Sequence, residues 1–244
     1  MAAAALRKDD AIGGPAPPLG RAETLARYRH LRAIAKRHHA GAMALVSGDA
    51  LTRYARALGL TVGKTLVLDD MDDMVLPVDL AIHTAPPERT RAIDRYADAA
   101  RCAPGADEGL VLAAMRAARF AVLQVERRRE TAGLVVRDMV RGSELWLIDE
   151  GLEQSMPDGL GFATRYFALD DFIMTAGIAL PVTRDAITRA FDVTPALWRK
   201  EPVDAIQDRR FAQAIYRAAI EDGTARQVAY RDVGGEGEAA AIGE

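Results

Sequence analysis

The feature that most constrains this chain is its central stretch, residues 120–182, in which short apolar runs alternate with turn-forming residues. The runs are rich in β-branched and aromatic side chains, and glycine, proline or aspartate separates them. The runs span residues 120–126, 134–140, 144–149, 161–167 and 172–180. Their spacing predicts a five-stranded antiparallel small barrel or strongly twisted sheet.

Several of these runs are apolar on both faces, as in Leu145-Trp146-Leu147-Ile148. One face of such a strand packs inside the barrel, and the other must be covered by helices. Gly161 and Gly177 lie inside strand runs, where a missing side chain suits a bent strand. The sequence therefore predicts a barrel that is embedded in helices.

The flanking sequence is helical in pattern, so the predicted fold class is α+β. Leu25, Tyr28, Leu31 and Ile34 recur at three- and four-residue spacing, which places them on one helix face. The predicted organisation is a disordered tail (1–20), a helical domain (21–118), the small β-barrel (119–182), C-terminal helices that pack on the rest (183–222) and a flexible tail (223–244).

Three finer expectations concern element boundaries. Pro86-Pro87-Glu88 is predicted to begin the fourth helix, and residues 151–159 are predicted to cross between strands as a loop. The last helix is predicted to begin at Asp204 and to run without a break for about eighteen residues.

Composition excludes several classes of protein. The 32 basic and 35 acidic residues give a net charge of −3, which provides no general attraction to nucleic acid or to anionic membranes. A single cysteine, Cys102, excludes intramolecular disulfides and multi-cysteine zinc sites. No apolar run approaches the roughly twenty residues of a membrane span. We expect a cytoplasmic protein without cofactor or metal.

Three motifs resemble known sites but lack an essential part. Residues 59–65 have three residues between the glycines of a phosphate loop, which needs four and a preceding strand. Residues 51–68 resemble a helix-turn-helix, but they run into the aspartates of 69–73, which would repel DNA. Those aspartates lack the spacing and the glycine of a calcium loop, and are interpreted as a helix start.

Two basic clusters are candidates for nucleic-acid binding. The first is a helix face with Arg29, Arg32 and Lys36, and the second is the run Arg127-Arg128-Arg129. Such clusters can follow a phosphate backbone, although amphipathic helices commonly carry solvated basic faces.

For catalysis the sequence offers only a loose set of polar residues. It has no nucleophile elbow, and Cys102 has no histidine in a family pattern, although His83 could meet it in space. A hydrolase or transferase site would have to be assembled from Asp138, Asp149, Arg165 and His83.

Aromatic residues supply the candidate contacts for a protein partner. Trp146 and Tyr166 lie in predicted strands, and Trp198 lies near the C-terminus, where it is either core or part of a dimer surface.

The chain also resembles a group of uncharacterised bacterial proteins. The similar motifs are residues 55–59, 69–74, 114–120, 136–139, Gly142, 163–165, 174–177 and 180–182. Some members of that group end in the short cysteine-rich zinc motif that is also found at the terminus of the SecA translocase. This chain lacks those cysteines, so no metal-binding residue is carried over. The resemblance implies helices that lead into a barrel, and it implies no activity.

Three functional hypotheses follow. We rank first a non-enzymatic protein-binding or adaptor module, second an RNA- or DNA-binding protein, and third a hydrolase or transferase. The expected partner is another protein, and the sequence leaves the oligomeric state open.

Overall fold

A computed structural model describes residues 20–63, 65–68, 71–103 and 105–227. The N-terminal part is helical apart from a two-stranded hairpin. Its elements are α1 (Arg21–Met43), α2 (Gly48–Ala57), β1 (Thr61–Val62), β2 (Thr65–Leu66), α3 (Val75–His83), α4 (Ala92–Ala99) and α5 (Asp107–Arg116). A 3-10 turn, Met71–Met74, leads into α3. The predicted tails lie outside the described residues, except for Gly20, Gly223 and a 3-10 turn at Thr224–Gln227.

Local sequence explains where these helices lie. Tyr28, Leu31 and Ile34 are buried on one face of α1, which confirms the predicted stripe. Ser47 caps α2, because its hydroxyl accepts the backbone N–H of Ala50 at 3.2 Å.

The central part forms a closed five-stranded barrel. Its elements are β3 (Arg119–Arg128), β4 (Leu134–Asp138), β5 (Glu144–Leu147), α6 (Glu150–Ser155), β6 (Gly161–Leu169) and β7 (Phe172–Pro181). The strand order is β3-β4-β5-β7-β6, and β6 pairs with β3 to close the ring. The prediction of a small five-stranded barrel is therefore confirmed, but not its fully antiparallel pairing, because β5 and β7 are parallel.

The register places alternate residues inside and outside the barrel. Val125 pairs with Val136, and Leu123 pairs with Phe162. These four side chains belong to one buried apolar cluster inside the ring. Outward-facing residues of the same strands join two other clusters, which include residues of the N-terminal helices and of the helices that follow the barrel. The expected helical coat is thus present.

The part after the barrel is helical again. It contains α7 (Arg184–Asp192), a 3-10 turn (Pro195–Arg199), α8 (Pro202–Gln207) and α9 (Arg209–Glu221). Thr183 caps α7 by accepting the N–H of Ala186 at 3.1 Å. Along the described part of the chain, no helix combines the length and the apolar character needed to cross a bilayer.

The three finer boundary expectations were wrong. The fourth helix begins at Ala92, because Glu88 takes a positive φ of 67° that ends any helix at the prolines. The predicted loop at 151–159 begins as α6, which Asp149 caps through the N–H of Leu152. The last helix is broken at Asp208, where ψ is 128°.

Candidate functional site

Strand alternation places one charged side chain, Arg165, on the outer face of β6. Its neighbours include Tyr166, which belongs to the barrel interior, so Arg165 faces the helices. There it meets Asp79 of α3 in a two-pronged ion pair. Nε lies 3.1 Å from Oδ1, and Nη2 lies 3.1 Å from Oδ2. Both side chains are buried, so this is a desolvated ion pair.

Tyr216 of α9 completes the coordination of the carboxylate by donating its hydroxyl proton to Asp79 Oδ2 at 3.0 Å. Burial alone would raise the pKa of Asp79, but the charge and hydrogen bonds of Arg165 outweigh burial and hold that pKa below its usual value. The pair therefore links α3, the barrel and the C-terminal helices through one ionised carboxylate.

The pairing between β6 and β7 is irregular at the same place. The flanking pairs are Thr164 with Ala179 and Tyr166 with Thr175. One residue of β6, Arg165, therefore stands opposite three residues of β7, 176–178. At the centre of this bulge Gly177 has a φ of 124°, a conformation that other residues rarely adopt. The bend expected at Gly177 is confirmed.

His83 follows Asp79 by four residues, which is about one turn of α3. Its ring is buried, and neither ring nitrogen has a hydrogen-bond partner within the described part of the chain. Burial, followed by the charge of Arg165, lowers the pKa of His83 to about 3. The ring is therefore neutral at physiological pH, and its buried N–H group has no acceptor among the described residues.

A cavity of about 180 Å³ lies beside Asp79, between α1, α3 and the β7 bulge. We call it the α3 cavity. Asp79 and His39 provide its polar lining, and Val75, Val78, Ala176 and Ile178 provide most of its apolar lining. His39 is half-buried, and burial lowers its pKa, so this ring is neutral as well. No group of three or more His, Cys, Asp or Glu side chains among the described residues is arranged to hold a metal ion.

The residues of the hypothesised enzyme site have three separate sets of partners. Arg165 is paired with Asp79, and the charges of both residues act on the ring of His83. Asp138 instead accepts the backbone N–H groups of Val140 and Arg141 and pairs with the Arg141 guanidinium at 2.9 Å.

Asp149, the fourth member of that set, caps α6 and accepts a hydrogen bond from the Thr175 hydroxyl at 3.0 Å. The four side chains therefore do not form one cleft, and the hypothesis does not hold in the form in which it was stated.

Cys102 lies in a second, more open groove of about 520 Å³, together with His38, Tyr96 and Glu108. His38 Nε2 donates to the Glu108 carbonyl at 2.9 Å, so its Nδ1 accepts from the Tyr96 hydroxyl at 3.1 Å. Both ring nitrogens are engaged, and His38 is a structural residue. His83 is not among the residues of this groove, in contrast to the suggested Cys102–His83 pairing.

The basic face of α1 contains intramolecular ion pairs. Arg29 forms three hydrogen bonds with Glu150, the shortest at 2.6 Å. Arg32 donates to the carbonyl of Thr175 and lies 3.9 Å from Asp149. Lys36 is exposed on the same helix. Much of the positive charge on this predicted nucleic-acid surface is therefore neutralised by the fold itself.

The arginine run at the end of β3 also has its side chains engaged within the fold. Arg127 pairs with Glu144 at 3.1 Å, and Arg128 pairs with Asp158 at 3.4 Å. Arg129 lies over the ring of Trp146, with 4.0 Å between the guanidinium carbon and the ring centroid. These three side chains therefore do not present one unpaired patch to a phosphate backbone.

The three aromatic candidates differ in exposure. Trp146 is half-buried, donates its indole N–H to the Ala132 carbonyl at 2.7 Å and packs edge-on against Phe172. Tyr166 is 7% exposed and lies within the barrel interior, so it offers little surface to a partner. Trp198 is 62% exposed. Among the three, Trp198 is the residue that a partner can reach.

The motifs that resemble known sites but lack an essential part have ordinary structural roles. Gly59 and Gly63 both have positive φ, but Gly59 follows the end of α2 and Gly63 lies in the turn between β1 and β2. A hairpin after a helix is not the strand-to-helix connection that a phosphate loop needs. Asp69 and Asp70 of the acidic run lie outside the described residues.

These features define an α+β protein with a mixed small barrel, a helical coat and a polar group buried between the two. Residues 22–228 match the model of a family of unknown function, DUF7986. The chain belongs to this family, which confirms the expected membership of an uncharacterised group and extends the similarity through the C-terminal helices. Comparison with curated proteins and with solved structures gave no significant match.

Sequence reasoning missed Asp79 and Tyr216. The spacing of Asp79 and His83 is visible in the sequence and places them on one helix face. The hydrogen bonds of Asp79 to Arg165 and to Tyr216 span 86 and 137 residues of chain, so no local pattern reports either contact.

Proposed function

We propose that this protein is a protein-docking module whose contact surface is the Trp198 patch, defined as Val193, Trp198 and Val203. The observation that carries the proposal is the exposure of Trp198, 62%, on a fixed support. Its ring lies 4.8 Å from the ring of Phe191, which in turn lies 5.4 Å from that of Phe211.

A tryptophan held in this way is suited to binding. Phe211 is fully buried, so the aromatic stack that supports Trp198 is anchored in the core. Because the ring is already ordered, docking would cost little side-chain entropy, and tryptophan is enriched among the residues that dominate binding energy. Val193 and Val203, each five residues from Trp198 in the chain, are also exposed, at 65% and 41%.

The size of the patch indicates a short partner segment. A fully buried tryptophan covers about 250 Å² at most, so the patch falls well below the roughly 800 Å² per partner of a standard interface. Exposed Arg199 follows Trp198 directly, whereas Lys200 is paired with Asp208 at 2.8 Å. We therefore propose a segment of another cytoplasmic protein that carries an apolar anchor next to an acidic residue.

The test uses a photo-crosslinking amino acid at position 198 in the full chain, expressed in its native cell. The matched control carries the same group at position 110, because Leu110 is also exposed, at 48%, and lies on α5. A partner that crosslinks from 198 and not from 110 is then purified. Its affinity for Trp198→Ala is expected to fall about thirtyfold, the effect of losing roughly 2 kcal/mol of binding free energy.

Two outcomes would overturn the proposal. Equal binding by Trp198→Ala and the unmodified chain would remove the patch from the interface. Crosslinking of the chain to itself alone would replace a separate partner with a second copy.

The nucleic-acid hypothesis ranks below the docking hypothesis, because the basic clusters are largely paired within the fold. It predicts an affinity for RNA or DNA that falls steeply with added salt. The docking hypothesis predicts no such affinity at 0.15 M salt, so a filter-binding titration at two salt concentrations separates the two.

A further inference from the structure

The α3 cavity is an unfilled space that is lined by both polar and apolar side chains. It lies beside the β7 bulge, and its volume is about 180 Å³. Bulges commonly re-aim side chains next to functional sites. Gly177 lines the cavity and is exposed to solvent, so the cavity has an entrance.

The polar end of the cavity carries little net charge. The negative charge of Asp79 is matched by Arg165, and His39 is neutral. A cation would meet the nearby Arg165 charge, and an anion would meet the Asp79 carboxylate. Both would also lose hydration on entering an apolar space, so a neutral ligand is favoured.

Asp79 still has room for one more hydrogen bond. Within the described part of the chain, Oδ2 accepts from Arg165 Nη2 and from the Tyr216 hydroxyl, whereas Oδ1 accepts only from Arg165 Nε. A carboxylate has about four lone-pair sites, so one site on Oδ1 can accept an O–H or N–H group from a ligand.

A second observation concerns His83, which is a neighbour of Asp79 on α3 but is not among the residues that line the cavity. It lies one turn from Asp79 on the same helix, and both of its nitrogens are buried without a hydrogen bond to the described residues. Buried polar groups are normally satisfied, and exceptions concentrate where function requires them. The described part of the chain therefore leaves the hydrogen bonding of this ring incomplete.

We propose that the α3 cavity binds a small neutral molecule with a compact apolar body and one O–H or N–H donor for Asp79. An apolar cavity of about 150 Å³ holds a benzene molecule, so the ligand has about six to ten non-hydrogen atoms. Its body lies against Val75, Val78, Ala176 and Ile178, and its donor reaches Oδ1 of the carboxylate.

The first experiment measures binding of four probes to the full chain by amide chemical-shift titration. Phenol carries the donor, benzene lacks it, benzoate is an anion and benzylammonium is a cation. Phenol is expected to bind most tightly, benzene about tenfold more weakly because the donor is lost, and the two ions more weakly still. Shifts should concentrate in α3 and in residues 176–178.

The second experiment fills the cavity. Ala176→Leu places three more carbon atoms in the lining, and Val78→Ile adds one carbon with less risk to folding. Ala113→Leu, the same change on the exposed face of α5, is the matched control. Phenol affinity is expected to fall at least tenfold in both cavity variants and to stay unchanged in the control.

Failure of phenol to bind, or binding that neither cavity variant weakens, would overturn the proposal. Equal affinity for phenol and benzoate would also overturn it, because the neutral polar end would then play no part. Trp198→Ala should bind phenol like the unmodified chain, so this result is distinguishable from the outcome of the docking test.

Discussion

The barrel interior and the layer between the barrel and its helical coat are both buried, but they are stabilised in different ways. The interior cluster is built mainly from aliphatic and aromatic side chains on alternating strand positions, such as Leu123, Val136 and Phe162. The coat layer contains large apolar clusters as well, but an ion pair lies between its elements, with the carboxylate of Asp79 at its centre.

The two layers differ in how strictly they fix the positions of the elements that they join. An apolar interior tolerates small shifts of its members, since dispersion and hydrophobic burial are not directional. A buried carboxylate with three hydrogen bonds fixes the relative positions of its donors. Those donors lie on β6 and α9, so one residue of α3 sets how the coat is seated on the barrel.

The largest expected effect comes from breaking this ion pair. Arg165→Met keeps the size of the side chain but leaves Asp79 buried with Tyr216 as its remaining partner of the site. Loss of one partner of a buried pair costs about 3–5 kcal/mol of unfolding free energy. Urea denaturation followed by circular dichroism measures this change.

The matched variant removes the three hydrogen-bonded groups together, as Asp79→Leu, Arg165→Met and Tyr216→Phe. Apolar replacement of a complete buried pair is often neutral or stabilising, so most of the lost stability should return. If the triple variant is no more stable than Arg165→Met, the cost lies in packing and not in an unpaired charge.

The rigidity of the barrel can be tested where the backbone of Gly133 lies close to that of Leu147. Gly133 has a φ of 76°, and a Cβ there would lie 2.2 Å from the carbonyl oxygen of Leu147. Gly159 has a similar φ of 82° with nothing within 4 Å of such a Cβ, so Gly159→Ala tests the φ strain alone, about 1 kcal/mol. Gly133→Ala should cost about 1–3 kcal/mol more, because the strands must move apart.

The same urea titrations compare the two glycine variants. Equal losses for both would mean that the barrel yields at this contact, and that its interior is less rigid than the coat layer.

Sequence reasoning was most successful where structure is local. The five runs were recognisable because β-formers and turn residues alternate within a few positions, and the buried face of α1 follows from its three- and four-residue spacing. The parallel pairing of β5 with β7 depends on how the ring closes, which no single run reports. A fully antiparallel barrel was therefore the natural but wrong expectation.

The candidate site was only partly accessible from sequence. Arg165 and His83 were named for a catalytic set, but the residue that joins them, Asp79, was overlooked because its partners are far away in the chain. Exposure is likewise a tertiary property. Composition gives no reason for Trp198 to be exposed while Tyr166 is buried in the barrel.

Acid should weaken the coat layer through His83. The groups that act on its ring are Asp79, which raises the pKa, and Arg165, His39 and Arg91, which lower it, while burial has the largest effect. The unfolded chain takes up the proton near pH 6.5, whereas the folded chain resists it down to about pH 3. The unfolding free energy should therefore decrease with acidification, by at most about 1.4 kcal/mol per pH unit.

Urea midpoints between pH 6.5 and pH 4.5 measure this slope while most carboxylates stay ionised. His83→Leu should flatten it. A slope that persists in His83→Leu would assign the acid sensitivity to another group, with His39 the next to test because burial also lowers its pKa.

The smallest expected change in stability tests whether burial or the number of hydrogen bonds decides how much an ion pair stabilises the fold. Arg29 forms three hydrogen bonds with Glu150, more than the two between Arg165 and Asp79, but its side chain is 64% exposed. Water solvates both charges of an exposed pair when it opens, so Arg29→Gln should leave the urea midpoint unchanged within error, at low and at high salt. A loss comparable to that of Arg165→Met would show that the α1 surface, and not the buried carboxylate, fixes the coat to the barrel. An unchanged midpoint would mean that the same chemical pair stabilises the fold only where solvent is excluded.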